Sequence, residues 1–176
     1  VAICGSDLHA YLGIMDPYSG YPIIMGHENS GIIAEKGKNV TDYWQVGDRV
    51  VSENTAYACG RCPSCAIGDH VKCEQRQVMG GHVDGVYAEY VLIPGELLAN
   101  YPNCLFKLPD SIPFDDAPQL EPAANGYNAI IQEAQFRPGE SIVVFGAGAL
   151  GLFAAHAAAI AGARKVILCG LKADAD

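Results

Sequence analysis

Four cysteines in a short stretch of the sequence have the spacing of metal ligands. In CGRCPSCAIGDHVKC, two, two and seven residues separate Cys59, Cys62, Cys65 and Cys73. Thiolates at these intervals, on a loop with glycine and proline turns, can converge on one tetrahedral ion at about 2.3 Å. Because four thiolates leave no open position for a substrate, the spacing predicts a structural zinc site over residues 59–73.

The same cysteine-rich stretch leaves alternatives open. A disulfide pair or a redox dithiol uses the same residue type, and so does an iron–sulfur cluster, although ferredoxins have a tighter spacing. His70, inside the spacer, is either a substitute ligand or a solvated loop histidine. The chain has seven cysteines, an odd number that favours a metal site in a reducing compartment over a disulfide framework. We therefore expect a cytoplasmic protein.

A glycine-rich turn has the pattern of a dinucleotide-binding site. In VVFGAGALG, Gly146, Gly148 and Gly151 follow a predicted strand and open a predicted helix. The first glycine would make the tight turn, the second would let the backbone approach a pyrophosphate, and the third would allow close helix packing. Leu150 belongs to the same predicted cofactor-binding set. A strand-to-helix turn that binds no ligand is the alternative.

The end of the next predicted strand bears on the choice of dinucleotide. NAD-binding sites usually have an acid there that accepts the ribose 2′-hydroxyl and repels a 2′-phosphate. Here the position is Gly170, and Lys172 follows two residues later. The cofactor is therefore predicted to be NAD or NADP, without the usual preference for NAD. Lys172 is alternatively a solvated loop charge.

Three further residues have side chains that can bind a metal ion. Cys4 lies in CGSDLH, His27 in GHE and Glu121 in LEP. Singly, each has an ordinary structural explanation: a buried thiol, a packed histidine and an acid at a helix N-terminus. Together, upstream of a dinucleotide-binding turn and beside a zinc lobe, they favour a metal site.

The elements that must position these residues change character along the chain. Up to about residue 118, SGIIAEKG, GDRVVSE and GVYAEYVLIP are predicted to be strands between long loops, whereas GELLANYPNCLF has no clear period. From Leu120, apolar residues at helical spacing predict a helix with Pro122 in its first turn. The next segments predict a βαβ unit: SIVVF is a strand, residues 149–161 are a helix, and KVILC is a second strand. The two strands would begin a parallel sheet.

Charge and hydropathy exclude two classes of partner. Twenty acidic against 11 basic residues give a formal net charge of -9, which is the wrong sign for binding the phosphates of a nucleic acid. No apolar run reaches the about 18 residues of a membrane span. The expected partners are therefore small molecules, not a nucleic acid or a membrane.

The motifs taken in order carry a family resemblance. CGSDLH, GHE, the four-cysteine lobe, LEP and GAGALG resemble the zinc-dependent medium-chain dehydrogenase/reductase family, most closely its sorbitol (polyol) and threonine dehydrogenase branch. The resemblance covers nearly the whole chain. It implies a mixed β and α/β fold: a GroES-like β-rich catalytic domain over residues 1–120, a linking helix over 121–136, and the start of a Rossmann dinucleotide-binding domain over 137–176. Because the family is longer at both ends, we expect an internal fragment.

The resemblance also implies roles for the site residues. Cys4 and His27 would bind the catalytic zinc with Glu121 as the third protein ligand, and Glu28 would lie beside the metal as an alternative ligand. Ser6 would hydrogen-bond the substrate oxygen and pass its proton outward.

Two more roles follow from the same family. His9 would accept that proton near the surface, unless water releases it directly, and Asp7 would orient the zinc-binding histidine through its second ring nitrogen. The implied activity is hydride transfer between a secondary alcohol, such as a sugar alcohol, and NAD or NADP, in a homo-oligomer (dimer or tetramer). L-Threonine or a simple alcohol is the alternative substrate. A non-catalytic zinc-binding module is the alternative of another class.

Overall fold

The computed structural model describes residues 1–18 and 20–171 of the chain. The chain divides into two compact units, Val1–Pro118 and Gln119–Asp176, which are described separately below. Among the described residues, no helix combines the length and the apolar character needed to cross a membrane.

The first unit consists of short strands and helices joined by long loops. Its elements in chain order are α1 (Gly5–Tyr11), β1 (Ser30–Ile32), β2 (Arg49–Ser52), β3 (Thr55–Tyr57), α2 (Pro63–Ala66), β4 (Gln77–Val78), α3 (Gly95–Asn100) and β5 (Leu105–Lys107). Strand β2 lies between β1 and β5 and is antiparallel to both. Strands β3 and β4 form a separate antiparallel pair. Residues His70–Lys72 and Pro102–Cys104 form 3-10 turns.

The core of the first unit includes the cysteine-rich loop. Trp44, Leu97, Cys104 and Leu105 pack in one apolar cluster with three of the clustered cysteines. Leu97 is 1% exposed and lies in α3, so this helix is one wall of the core. The loop that carries the cysteines is therefore held by side-chain packing as well as by whatever the thiols bind.

Besides the four-residue α2, two helices occupy positions that the sequence did not assign to helices. Helix α1 begins directly after Cys4, whose backbone N–H donates to Oδ2 of Asp7 at 2.9 Å and so caps the first turn. Helix α3 crosses GELLANYPNCLF, which was expected to be irregular. With seven and six residues, both helices are too short to establish a helical period in the sequence.

The prediction of a strand at GVYAEYVLIP is wrong. The N–H groups of Gly85, Val86 and Tyr87 donate to carbonyl oxygens of the 24–26 loop at 2.7 to 3.0 Å, in an irregular order that is not a strand ladder. Residues 88–92 are exposed, and in the part of the chain that the structure describes they belong to no strand. An alternating pattern gives a strand only where a neighbouring strand pairs with it, and here residues 86–89 form bends instead.

The second unit has the predicted order of helix, strand, helix and strand. Helix α4 (Leu120–Asn128) continues through a π-helical turn (Ala129–Glu133) and is followed by β6 (Ser141–Phe145), α5 (Ala149–Ile160) and β7 (Lys165–Cys169). Strands β6 and β7 are parallel and in register from Ser141 opposite Lys165. The expected mixed β and α/β fold class is thus confirmed.

Close packing of two helices organises the second unit. A Cβ atom on Gly126 of α4 would lie 2.8 Å from the backbone N of Ala154 in α5. The absence of a side chain at Gly126 lets the two helices approach, and Ile130 and Ala158 are buried beside them. This packing holds α5 against β6 and β7, and so fixes the glycine-rich turn at the start of α5.

Candidate metal centres and dinucleotide turn

Cys4, His27 and Glu28 come together in the first unit. Their candidate ligand atoms, a thiol sulfur, a ring nitrogen and a carboxylate oxygen, all lie within 4.8 Å of one another. Glu28 is buried, and Cys4 and His27 are partly buried. A thiolate, an imidazole and a carboxylate at these separations form a donor set that suits zinc. The residues present therefore fit a divalent metal ion.

Backbone hydrogen bonds position the two loops that supply these side chains. The N–H of Ala2 donates to the carbonyl oxygen of Glu28 at 3.0 Å, which places the start of the chain beside the GHE loop. Gly26 has φ +93°, and a Cβ atom there would lie 2.5 Å from the ring of Tyr87. Only glycine fits at this position, because any larger residue would clash with the tyrosine and strain the backbone.

Asp7 connects the two ligand-bearing loops. It is 6% exposed, and its Oδ1 lies 3.6 Å from Nδ1 of His27. Its Oδ2 accepts the backbone N–H of Cys4 at 2.9 Å and the hydroxyl of Tyr87 at 2.7 Å. Burial, followed by the neighbouring Asp7 carboxylate, raises the pKa of Tyr87 well above its usual value, so this residue stays a hydrogen-bond donor.

The remaining residues assigned to the catalytic site lie on helices of different units. Ser6 is partly buried in the first turn of α1, and His9 is exposed in its last turn. Glu121 lies in the first turn of α4, where its Oε1 accepts a hydrogen bond from Nδ2 of Asn125 at 2.9 Å. Because Glu121 belongs to the second unit, its role as a ligand stays a prediction.

The four clustered cysteines form a second candidate metal centre. The sulfur atoms of Cys59, Cys62, Cys65 and Cys73 lie within 4.8 Å of one another, and all four are free thiols. The sulfur atoms of Cys59 and Cys65 are 4.0 Å apart, close to the about 3.8 Å expected when four 2.3 Å bonds meet tetrahedrally. This arrangement fits a structural zinc site.

The backbone around this cluster favours a thiolate at one position. The N–H groups of Arg61 and Cys62 lower the pKa of the Cys59 thiol to about 6, and the second of them donates to its sulfur at 3.4 Å. Burial raises the pKa of Cys65 to about 12. Without a metal, Cys59 is thus a thiolate near neutral pH, whereas an incoming cation must displace the proton of the buried Cys65 thiol.

His70 contacts backbone carbonyl groups and an aromatic ring. Its ring nitrogens lie 3.1 Å from the carbonyl oxygens of Gly68 and Asn100. Its ring stacks on Tyr101, with 4.2 Å between the centroids. The contacts of His70 fasten the cysteine-rich loop to the end of α3, and both ring nitrogens lie at backbone carbonyl oxygens.

The glycine-rich turn lies between β6 and α5. Gly146 has φ +104°, which favours glycine, and a Cβ atom on Gly151 would lie 1.8 Å from the carbonyl oxygen of Gly146. At Gly148, by contrast, an added Cβ would meet no heavy atom within 4 Å among the described residues. Backbone conformation therefore explains the first glycine and close packing the third, whereas neither explains the second, where there is room for a ligand.

The other predicted cofactor-binding residues that the structure describes are exposed. Leu150 is exposed in the first turn of α5, and Gly170 is exposed directly after β7. Lys172 lies outside the described residues, so its contribution stays a prediction.

A comparison with protein families agrees with this geometry. Residues 1–103 match the alcohol dehydrogenase GroES-like domain family. The chain belongs to this family. The matched region contains the Cys4, His27 and Glu28 group and the whole cysteine cluster, and the resemblance found in the motifs is confirmed.

Relatives of this GroES-like chain include several zinc-type dehydrogenases. It is 39% identical to the zinc-type alcohol dehydrogenase-like protein YdjL of Escherichia coli, over 98% of this chain and 49% of the relative. It is also 39% identical to a sorbitol dehydrogenase of Halalkalibacterium halodurans, over 98% and 47%. An L-threonine 3-dehydrogenase of Francisella philomiragia is 37% identical, over 95% and 45%. The chain thus spans about half the length of the curated relatives it matches.

Solved structures resemble this GroES-like chain over the same extent. Galactitol-1-phosphate dehydrogenase from Escherichia coli aligns with a TM-score of 0.81 and 32% identity, over 94% of this chain and 44% of the other. A proposed zinc-binding dehydrogenase from Sinorhizobium meliloti, solved with bound NADP, aligns with a TM-score of 0.80 and 32% identity, over 94% and 45%.

One residue of the metal site was not found from the sequence. Tyr87 touches Asp7 through its hydroxyl and Gly26 through its ring. In the sequence it is one aromatic residue of an alternating segment, GVYAEY, and nothing in its spacing relates it to Cys4 or His27. Only the folding of residues 80–87 against the GHE loop brings it to the site.

Proposed function

We propose that the protein is a zinc-dependent dehydrogenase that transfers hydride between a secondary alcohol and NAD or NADP. One observation carries the proposal: a thiol, an imidazole and a carboxylate, from Cys4, His27 and Glu28, lie within 4.8 Å of one another, separate from the cysteine cluster. The glycine-rich turn before α5 supports the dinucleotide part of the proposal.

The side chains divide into metal ligands and proton carriers. Cys4 and His27 would hold the catalytic ion, with Glu121 as the third protein ligand and Glu28 as an alternative. When bound, the ion would polarise the alcohol oxygen and lower its pKa. Ser6 would hydrogen-bond that oxygen and take its proton, and the exposed imidazole of His9 would pass the proton to solvent.

The second unit would hold the cofactor. The first turn of α5 would offer its backbone N–H groups to a pyrophosphate, and Gly148 leaves room for its approach. Because Gly170 has no carboxylate, the site would not repel a 2′-phosphate, and Lys172 would favour one. We therefore propose that both NAD and NADP are accepted.

The proposed substrate class is a polyol or sugar alcohol. The names of two similar proteins, sorbitol dehydrogenase and galactitol-1-phosphate dehydrogenase, support this class. The similarity to an L-threonine 3-dehydrogenase keeps L-threonine as the second candidate. A panel of polyols, polyol phosphates, L-threonine and simple alcohols would decide between them by their relative kcat/KM values.

The activity is tested with the zinc-loaded full-length protein. Reduced nicotinamide should form with some member of the panel, and Cys4→Ala or Glu121→Ala should abolish it. Cys104→Ala removes a core thiol outside both metal sites, and Glu133→Ala removes an exposed acid of the same helical segment as Glu121, so both controls should remain active. Full activity in either site variant would refute the proposed ligand set.

Metal stoichiometry separates the enzyme from a non-catalytic zinc module. The enzyme should bind two zinc ions per chain, and one of them should be lost when Cys4 and His27 are both replaced by alanine. A single ion that survives these changes would identify a module in which the cysteine cluster mediates contacts between subunits.

We also propose a cytoplasmic homo-oligomer, either a dimer or a tetramer. The proposal rests on the family resemblance and on the free thiols of the cysteine cluster. Sedimentation of the full-length protein would give the subunit number, and a monomer at micromolar concentration would contradict it.

A further inference from the structure

We propose that Tyr87 is a positioning residue of the catalytic metal site, acting through Asp7 on His27 and Cys4. The inference rests on the proposed function only in assuming that Cys4 and His27 bind a metal ion. Three observations carry it: the hydroxyl contact to Asp7, the burial of that carboxylate, and the fixed position of the tyrosine ring.

The hydroxyl of Tyr87 has one proton and two nearby acceptors. Oδ2 of Asp7 lies at 2.7 Å and the carbonyl oxygen of Ala2 at 3.1 Å. The shorter contact to the charged acceptor is the stronger hydrogen bond. Asp7 is 6% exposed, so its charge depends on protein donors and not on water.

The two oxygens of Asp7 have different partners. Oδ2 receives the N–H of Cys4 and the hydroxyl of Tyr87, whereas Oδ1 faces Nδ1 of His27 at 3.6 Å. The two donors on Oδ2 fix the rotation of the carboxylate, and this rotation directs Oδ1 at the imidazole. Tyr87 thereby influences which ring nitrogen of His27 is presented to the metal.

The tyrosine ring cannot move away from this position easily. Its backbone N–H donates to the carbonyl oxygen of Met25 at 3.0 Å, and its ring packs on Gly26, the residue before His27. Tyr87 therefore touches the His27 loop with its ring and the Cys4 loop, through Asp7, with its hydroxyl. Removing the hydroxyl alone would leave the packing intact and release the carboxylate.

The test is Tyr87→Phe in the full-length protein loaded with Co²⁺ as a spectroscopic substitute for zinc. We expect the Co²⁺ absorption spectrum of the catalytic ion to change and its release to a chelator to accelerate about tenfold. The ion of the cysteine cluster should be released at the original rate. Tyr21→Phe is the matched control, because the Tyr21 hydroxyl donates to the carbonyl oxygen of Ala10 in α1 at 2.6 Å and should have no effect on either ion.

A double-mutant cycle with Asp7→Ala decides whether Tyr87 acts through Asp7. In the Asp7→Ala background, Tyr87→Phe should change the release rate no further. An equal effect of Tyr87→Phe in both backgrounds, or no effect in the wild type, would overturn the inference. These readouts need no turnover, so a protein that binds two ions but oxidises no alcohol would refute the proposed function without affecting this inference.

Discussion

Oδ1 of Asp7 lies 3.6 Å from Nδ1 of His27, while the other oxygen of the same carboxylate accepts the N–H of Cys4. One buried side chain thus connects two loops that each supply a proposed zinc ligand. The contact also explains why α1 begins where it does, because the carboxylate that faces the histidine is the one that caps the helix. The local structure and the metal site depend on the same group.

The first prediction concerns the charge of Asp7. Asp7→Asn keeps an oxygen for the Cys4 N–H but removes the negative charge beside His27, so the catalytic ion should bind about 10- to 100-fold more weakly. Competition with a chelating dye would measure the affinity. Asp16→Asn, at an exposed position, is the matched control, and equal affinity in the two variants would contradict the proposed role.

The second prediction separates two glycines of the same turn. Gly151→Ala should destabilise the protein by about 1–3 kcal/mol, because its Cβ would overlap the carbonyl oxygen of Gly146. Gly148→Ala should cost at most about 1 kcal/mol, from a poorer helix cap, but should weaken dinucleotide binding because it fills the space left for the pyrophosphate. Thermal unfolding and titration with NADH or NADPH would measure the two effects.

The opposite pattern would count against a dinucleotide site. If Gly148→Ala bound NADH and NADPH with unchanged affinity, the turn would be a packing feature without a ligand. Normal stability of Gly151→Ala would show that the turn can shift to accommodate a methyl group.

The third prediction is a pH dependence of the metal-free cysteine cluster. The pKa of Cys59 is lowered from its ordinary value of 9.0 to about 6 in the folded protein, so the unfolded chain binds more protons between these values. The contribution of Cys59 to the free energy of unfolding should therefore rise from pH 6 to pH 9. It should be lost as the pH falls through 6. The pKa of Cys65 is raised to about 12. Its contribution to the free energy of unfolding therefore decreases with pH, but only above pH 9.

Thermal unfolding in zinc-free buffer, compared with Cys59→Ser, would isolate this contribution. The difference between the two midpoints should grow from pH 6 to pH 9. A constant difference would mean that the backbone N–H groups of Arg61 and Cys62 do not stabilise a thiolate at Cys59.

The fourth prediction concerns proton transfer. Ser6→Ala should lower kcat for alcohol oxidation by about 100-fold or more, because it removes the proposed first proton carrier. His9→Asn should have a smaller effect, since the exposed end of α1 gives water access to the same proton. The pH dependence of kcat in both variants would measure this, and a larger loss in His9→Asn would reverse the proposed order of transfer.

Local patterns were sufficient for much of the architecture. The second unit was predicted element by element, because consecutive apolar segments of the right length form a βαβ unit through short-range contacts. The first unit was predicted less well. Its short helices α1 and α3 have too few residues to show a period, and GVYAEYVLIP alternates but forms no strand among the described residues.

The sequence by itself determined the chemistry that this protein can offer. Two properties belong to the chain alone: the types and order of Cys4, His27 and the clustered cysteines, and the spacing of Gly146, Gly148 and Gly151. They match the patterns of zinc-binding and dinucleotide-binding motifs, because coordination chemistry and backbone sterics restrict which residues can fill such motifs.

Only the tertiary structure decided how these residues are held. Tyr87 reaches Asp7 because residues 80–87 fold against the GHE loop, and His70 turns to backbone carbonyls because α3 lies beside the cysteine-rich loop. Both contacts join segments far apart in the chain. A sequence pattern reports local spacing, whereas the partner of a buried polar group depends on which distant segment excludes water from it.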